Sequence, residues 1–235
     1  MTTTTSEPTA DLADAAYPEL LRMGHKFVTS IGQRLIVDGF YGAMDFAFGG
    51  DGWFYVLNRY DSNPAQPKVR FAVCNIDDEF PRNIDPRVDG QSLAGRKDQW
   101  GSAVFCDSDQ KGNLFFTDER ANQVVTMSQE QGDVTAVWGE SGSKAGQLDG
   151  ASGITYLADG TFWIVSSRSS LIQHFTLDGE YIKGFGKRGS DPGQLDHPWG
   201  AAVDPIDGSI VVADWRNDRV QRFSPEGELL QLLDE

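Results

Sequence analysis

The chain has 235 residues, 39% of them hydrophobic and 11% aromatic, and a formal net charge of −15. The length allows one folded domain of the size that all-β proteins often reach. The acidic balance argues against nonspecific binding to nucleic acid or to an anionic membrane, and nothing approaches the ~18 uninterrupted apolar residues of a membrane span.

Residues 1–24 open with MTTTTSEPTADLADAA, which has neither the basic region nor the apolar core of a secretory signal. Its Thr, Ser, Ala and acidic content predicts a disordered or irregular leader. Four acids and no base fall in the first 20 residues, which leaves −11 on the remainder. Cys74 and Cys106 sit in apolar, strand-like runs (FAVCNI and AVFCD) and read as small buried hydrophobes. There is no CxxC and no Cys/His zinc spacing, so a cytoplasmic location is the default expectation.

From residue 25 onward the chain repeats itself. FVTSIG (Phe27 to Gly32) resembles VTAVWG (Val134 to Gly139) and YIKGFG (Tyr181 to Gly186), and predicts an N-terminal strand detached from the rest of its sheet. AMDFAFGGDGWFYVLNR near Tyr41 supplies two strands with a glycine turn between them. The third strand, KVRFAVCNI, is delayed by the insertion DSNPAQP. Gly101 then lies 52 residues before Gly153, and Gly112 lies 48 before Gly160. The last two copies are the clearest. GQLDGASGITYLADGTFWIVSSRSSLIQHFTLDGEYIKGFG starts at Gly146, and GQLDHPWGAAVDPIDGSIVVADWRNDRVQRFSPEGELLQLL starts at Gly193. Gly146 and Gly193 are 47 apart, whereas Gly160 and Gly208 are 48 apart, so one residue is inserted before Gly208.

A period of 40–50 residues with short strands and glycine turns marks β-propeller blades. In the last copy the expected strands are GAAVD, SIVVAD, RVQRFS and ELLQLL, separated by Pro-Ile-Asp-Gly, Arg-Asn-Asp and Pro-Glu-Gly turns. The innermost strand is small and apolar, as crowding at a central axis requires. The second is β-branched and aromatic, as a strand buried on both faces should be.

The run Val212-Ala213-Asp214-Trp215-Arg216-Asn217-Asp218-Arg219-Val220-Gln221-Arg222-Phe223 resembles the NHL-repeat family of β-propellers: a strand ending in Asp, an Asn-x-Arg turn, then apolar-Gln-x-Phe. GQLDHPWGAAVD matches the opening of that repeat. The third copy departs from it, reading Ser166-Ser167-Arg168-Ser169-Ser170 at the turn. The resemblance covers about residues 27–235 and implies an all-β propeller, with blades at about 38–80, 97–139, 146–186 and 193–235. The family usually closes five or six blades. Four are recognisable here, so an incomplete or open ring is expected, with self-association through its open edge.

In a four-stranded antiparallel blade, the loop leading into the innermost strand and the turn between strands two and three share a face. That places Trp100, Asp149, Asp196, His197 and Trp199 with Asn58, Arg59, Tyr60, Asp118, Arg120, Arg168, Asp214, Trp215 and Arg216. Arg120, Arg168 and Arg216 form a ladder, each 48 residues from the next. Two readings stay open. The arginines pair with neighbouring acids (Asp118 with Arg120, Asp214 with Arg216) and stitch blades together, or they form a platform for an anionic ligand. Trp100 and Trp199 either stack on a ligand or cap the core, and Trp215 is expected to be exposed. His174 is expected at a surface or edge.

No nucleophile elbow, phosphate-binding loop or dinucleotide fingerprint appears. The favoured function is therefore a scaffold for a protein, a peptide or a small anion, with no cofactor and no membrane or nucleic-acid partner. The alternative is a hydrolase or lyase with zinc or calcium at the propeller axis, for which His197 and Asp196 are the candidate catalytic residues. Lyases of the peptidyl-hydroxyglycine type set three His around zinc. With only His25, His174 and His197, this chain cannot present that pattern.

Overall fold

The computed structural model describes residues 40, 42–59, 68–77, 79–93 and 100–233. The expected strand at Phe27–Gly32 and the site candidate Tyr60 lie outside them. The described residues build four four-stranded antiparallel sheets in series. Blade 1 comprises β1 (Ala43–Phe48), β2 (Phe54–Arg59), β3 (Val69–Cys74) and β4 (Arg82–Ile84). After a two-stranded hairpin, β5 (Arg87–Val88) and β6 (Gln91–Ser92), blade 2 takes β7 (Ala103–Ser108), β8 (Asn113–Asp118), β9 (Gln123–Ser128) and β10 (Val134–Trp138). Blade 3 is β11 (Ala151–Tyr156), β12 (Thr161–Ser166), β13 (Leu171–Thr176) and β14 (Tyr181–Phe185). Blade 4 is β15 (Pro198–Val203), β16 (Ile210–Asp214), β17 (Arg219–Phe223) and β18 (Leu229–Leu233). The all-β propeller arrangement of four blades is thus what the repeat implied.

Each blade is a meander, and in the first three blades the second strand is buried on both faces, whereas β16 of blade 4 is buried on one. That burial explains the unbroken apolar runs: Tyr55, Val56 and Leu57 in β2, Leu114, Phe115 and Phe116 in β8, and Phe162 to Val165 in β12 are all buried. The core is accordingly divided into three slabs, one per blade interface. Between blades 1 and 2 lie Tyr55, Leu57 and Phe71 with Leu114, Phe116 and Met127. Between blades 2 and 3 Phe115 meets Phe162 edge-on at 4.8 Å between centroids. Between blades 3 and 4 Trp163, Val165 and Ile172 meet Ile210, Val212 and Phe223.

The innermost strands pack in order, β1 on β7, β7 on β11 and β11 on β15. No comparable packing joins β15 to β1 among the described residues. Side chains from these strands also bond across blades. Asp45 accepts from the Cys106 amide at 2.9 Å and Asp107 from the Tyr156 amide at 2.7 Å. Burial pushes both carboxyls above the usual aspartate range. Thr155 Oγ1 donates to the Ala201 carbonyl at 2.9 Å. The approach is close enough to demand glycine at position 153, where a Cβ would come within 2.9 Å of the Ala201 nitrogen.

Cys74 and Cys106 are buried thiols, as their apolar settings predicted. His174 departs from expectation. It is half-buried, stacked on Trp163 at 4.6 Å and 8° between planes, and Nε2 lies 2.7 Å from Thr161 Oγ1. Its strand alternation points it at the Trp163 ring across the β12–β13 ladder rather than at an edge.

Candidate functional site

The loops leading into the innermost strands are tied to the β-turns between strands two and three. Arg216 N donates to the Asp196 carbonyl at 3.1 Å, Arg168 N to the Asp149 carbonyl at 2.9 Å, and Glu119 N to the Ser102 carbonyl at 3.0 Å. Those bonds bring the two residue sets onto one face. In blades 3 and 4 the turn is a single 3-10 turn, Ser167–Ser169 and Trp215–Asn217, closed by Ser170 and Asp218 in the left-handed conformation. Asn122 occupies the same conformation in blade 2.

Asp118 and Asp214, expected on that face, lie beneath it. Asp214 is fully buried, and its carboxylate accepts from Asp196 N (2.7 Å), Asn217 Nδ2 (2.8 Å), Arg219 Nε (2.9 Å) and Gln221 Nε2 (3.0 Å). Its ionic partner is Arg219, not Arg216. Asp118 accepts four backbone amides, from Gly101, Ser102, Arg120 and Ala121, at 2.8–3.0 Å. Oxygens so committed position loops and have nothing left for a ligand. The motif glutamine does similar work. Gln221 Oε1 accepts from Gly193 N and Gln173 Oε1 from Gly146 N, both at 2.8 Å, which pins the GQLD loops.

The arginine ladder divides as well. Arg168 pairs with Asp149 at 3.4 Å. Arg120 is exposed, and Arg216 lies with its guanidinium 5.8 Å from the Trp215 ring centroid. Neither makes an ion pair with another described residue. Trp100 is a core cap: its Nε1 donates to Gln123 Oε1 at 2.9 Å and its ring meets Phe116 edge-on. Arg59 pairs with Glu119 of the next blade at 3.5 Å, and Asn58 is buried.

What the structure does bring together is Asp196, His197, Trp199, Trp215 and Arg216, all in blade 4. Trp215 is 59% exposed, and Trp199 faces it at 6.2 Å between ring centroids, tilted 53°. The two indoles line a cavity of about 240 Å³, and Phe105 of blade 2 braces Trp199 from behind at 6.2 Å. His197 Nδ1 sits 2.7 Å from Asp196 Oδ1, and Arg188 reaches the same carboxylate at 3.4 Å. The hydrogen bond from His197, helped by the charge of Arg188, holds Asp196 below the usual aspartate range. Arg188 was missed by inspection of the sequence. Its only signal is its place seven residues before Leu195, with which it forms a parallel bridge. Among the described residues no three His, Cys, Asp or Glu side chains converge as a metal-binding set.

The NHL repeat family profile matches residues 195–223, which run from the lead-in loop of blade 4 through β15, β16 and β17 and carry most of this cluster. Blade 4 thus carries an NHL repeat. The chain is 37% identical over 127 residues to the Caenorhabditis elegans RING finger protein nhl-1, a match that takes in 53% of this chain and 13% of that protein. It is also 47% identical over 45 residues to the Drosophila melanogaster protein wech (19% and 5%) and 51% identical over 43 residues to the Bos taurus E3 ubiquitin-protein ligase TRIM71 (18% and 5%). The chain thus spans only a small part of the length of each of these relatives. Among solved structures it resembles a streptogramin B lyase (TM-score 0.56, 15% identity, 83% of this chain and 55% of that one) and the Kuenenia stuttgartiensis hydrazine synthase (TM-score 0.55, 13% identity, 87% and 52%). At those identities the likeness is one of fold.

Proposed function

We propose that the chain is a cytoplasmic binding scaffold whose loop face, through blade 4, engages a protein or peptide. The observation that carries this reading is the exposure of Trp215 opposite Trp199, with Arg216 beside them. A large aromatic held in a short turn with over half its surface in water contributes little to the fold, yet aromatics and arginines of this kind supply most of the energy at recognition surfaces. The relatives support a protein partner, since one is a RING finger protein and another an E3 ubiquitin-protein ligase. The described residues include no helix long and apolar enough to cross a membrane.

A photo-crosslinking amino acid tests the reading. Placed at Trp215, it should capture a defined partner from the source cell. Placed at Ile206, 92% exposed in a turn at the other end of the blade, it should not. Trp199→Ala and Arg216→Ala should reduce the yield of that same partner by about tenfold or more, the effect of removing one recognition hot spot. Equal capture at both positions, or a yield indifferent to both variants, defeats the proposal.

A second reading, a hydrolase or lyase, is favoured only by the short His197–Asp196 contact. Elemental analysis of untagged protein decides it: about one zinc or calcium per chain, lost on Asp196→Ala, would be required.

A further inference from the structure

Blade 3 reveals which parts of blade 4 the fold does not need. Shifted by 47 or 48 residues, His197 falls on Gly150, Trp199 on Ser152 and Trp215 on Ser167. In blade 3 these small residues satisfy the structure. Ser152 and Ser167 are buried, and Gly150 is crowded, a Cβ there lying 3.0 Å from Arg168 Cγ. Blade 4 keeps the same backbone path but adds three large rings. His197 even adopts the left-handed conformation (φ +50°) that Gly150 adopts freely (φ +68°), a geometry that side-chain-bearing residues resist. With a side chain at 197, Arg216 does not repeat the position of Arg168 over the glycine and lies on Trp215 instead. The two indoles line the one cavity while His197 is bonded to Asp196 in the same loop, and a blade folds without any of the three.

Charge and size then narrow the ligand. Asp196 is already shared by Arg188 and His197, and the charge of Arg216 acts on it only from beyond ion-pair distance, so that guanidinium keeps room for a second carboxylate. A cationic ligand would have to displace Arg216 from the Trp215 face. A simple anion would have no use for two indoles. The cavity of about 240 Å³ is below the ~300–1,000 Å³ typical of sites that enclose whole small molecules, and it suits one side chain.

Resting on the scaffold reading, we propose that the notch between Trp199 and Trp215 seats an aromatic ring of a peptide whose adjacent carboxylate pairs with Arg216. The probe is acetyl-Ser-Phe-Asp-Ser-amide, with three counterparts carrying Asn or Lys for Asp, or Ala for Phe. The readout is the indole N–H resonances of the protein, those of Trp199 and Trp215 being assigned with W199F and W215F. The Phe-Asp peptide should shift these two signals and leave those of Trp53, Trp100, Trp138 and Trp163 in place. The Asn and Ala counterparts should each bind about tenfold more weakly, and R216Q should bind the Asp and Asn peptides equally. No shift up to about 10 mM, a standard affinity of roughly −2.7 kcal/mol at best, overturns the proposal. So does equal binding of Asp and Asn peptides to the unaltered chain, or tighter binding of the Lys peptide. If the peptides fail while the crosslinked partner of Trp215 still depends on Trp199, the ligand assignment falls and the scaffold stands. If that partner is also indifferent to Trp199, both fall.

Discussion

Ser170 shows how repetition hides a residue-level defect. Asn122, Ser170 and Asp218 occupy the same left-handed turn position, 48 residues apart. Asn and Asp tolerate that conformation, but serine is less suited to it. Ser170 is also fully buried with no hydrogen-bond partner for its hydroxyl. Ser170→Gly should therefore stabilise the chain by about 1 kcal/mol, a rise in melting temperature of about 2–4 °C. Urea unfolding of the two proteins checks it, and a lower midpoint for the glycine variant would show that the buried contacts of the serine outweigh its strain.

His174 carries a pH dependence of defined sign. Burial against Trp163 holds its imidazole below the ordinary histidine value, and Nδ1 has no hydrogen-bond partner. The unfolded chain therefore takes up the proton first. The stability is fully present above about pH 6.5 and is lost progressively as the pH falls through the folded value. Urea midpoints from about pH 7.5 down to 5 should decline, and His174→Phe, which keeps the ring stack, should flatten that slope. An unchanged slope would place the proton uptake elsewhere.

At the level of the strand and its turn, two blades solve one problem with different chemistry. The lead-in loop must be bonded to the end of the second strand. Blade 4 uses Asp214, whose charge is then compensated by Arg219 on the third strand. Blade 3 uses Ser166, whose Oγ accepts from Asp149 N at 2.8 Å, and carries Leu171 where Arg219 would stand. Between these two blades the acid and the arginine change together, whereas blade 2 keeps Asp118 with Gln123 in the arginine's place and satisfies the carboxylate with backbone amides. Asp214→Ser alone leaves a largely buried guanidinium without its counter-charge and should cost about 3–5 kcal/mol. Arg219→Leu in the same chain should restore part of that, giving a coupling of about 0.5–3 kcal/mol in a double-mutant cycle of unfolding free energies. Additive losses would mean that the two side chains act independently.

This pair also marks the limit of what the sequence disclosed. The strands of blade 4 were legible because glycine turns and β-branched runs are local signals, and each expected strand lies within two residues of the observed one. The buried role of Asp214 was not legible. Arg216 is nearer in sequence, but the strand ladder places Arg219 opposite Asp214. Trp100 was ambiguous for the same reason, since its partner Gln123 is 23 residues away. The β5–β6 hairpin was overlooked although Asp89-Gly90, both at positive φ, is a two-residue hairpin turn written plainly in the chain.

Across the whole assembly of blades, the faces are not equivalent. Strand pairing puts Ala213 beside Val220 and Val220 beside Leu233, all on the side of blade 4 turned away from blade 3. In blade 3 the corresponding row is Val165 and Ile172, both fully buried by blade 4. In blade 4 Ala213 and Leu233 are exposed and Val220 is half-buried. This end face thus retains the apolar centre of a blade interface at reduced size, while Arg222, bonded to Asp204 at 3.0 Å and Asp207 at 2.8 Å, guards its inner side. A sheet face of that kind seeks another sheet. We expect the chain to self-associate through it, with an apparent mass that rises with concentration in sedimentation velocity. Val220→Lys puts a charge at the centre of the row and should return the protein to a monomer with little change in its unfolding midpoint, because Val220 takes no part in the slab shared with blade 3. A mass that is monomeric and independent of concentration in the unaltered chain would mean that this face is closed or inert, and that the three buried slabs alone are enough to sustain the four blades.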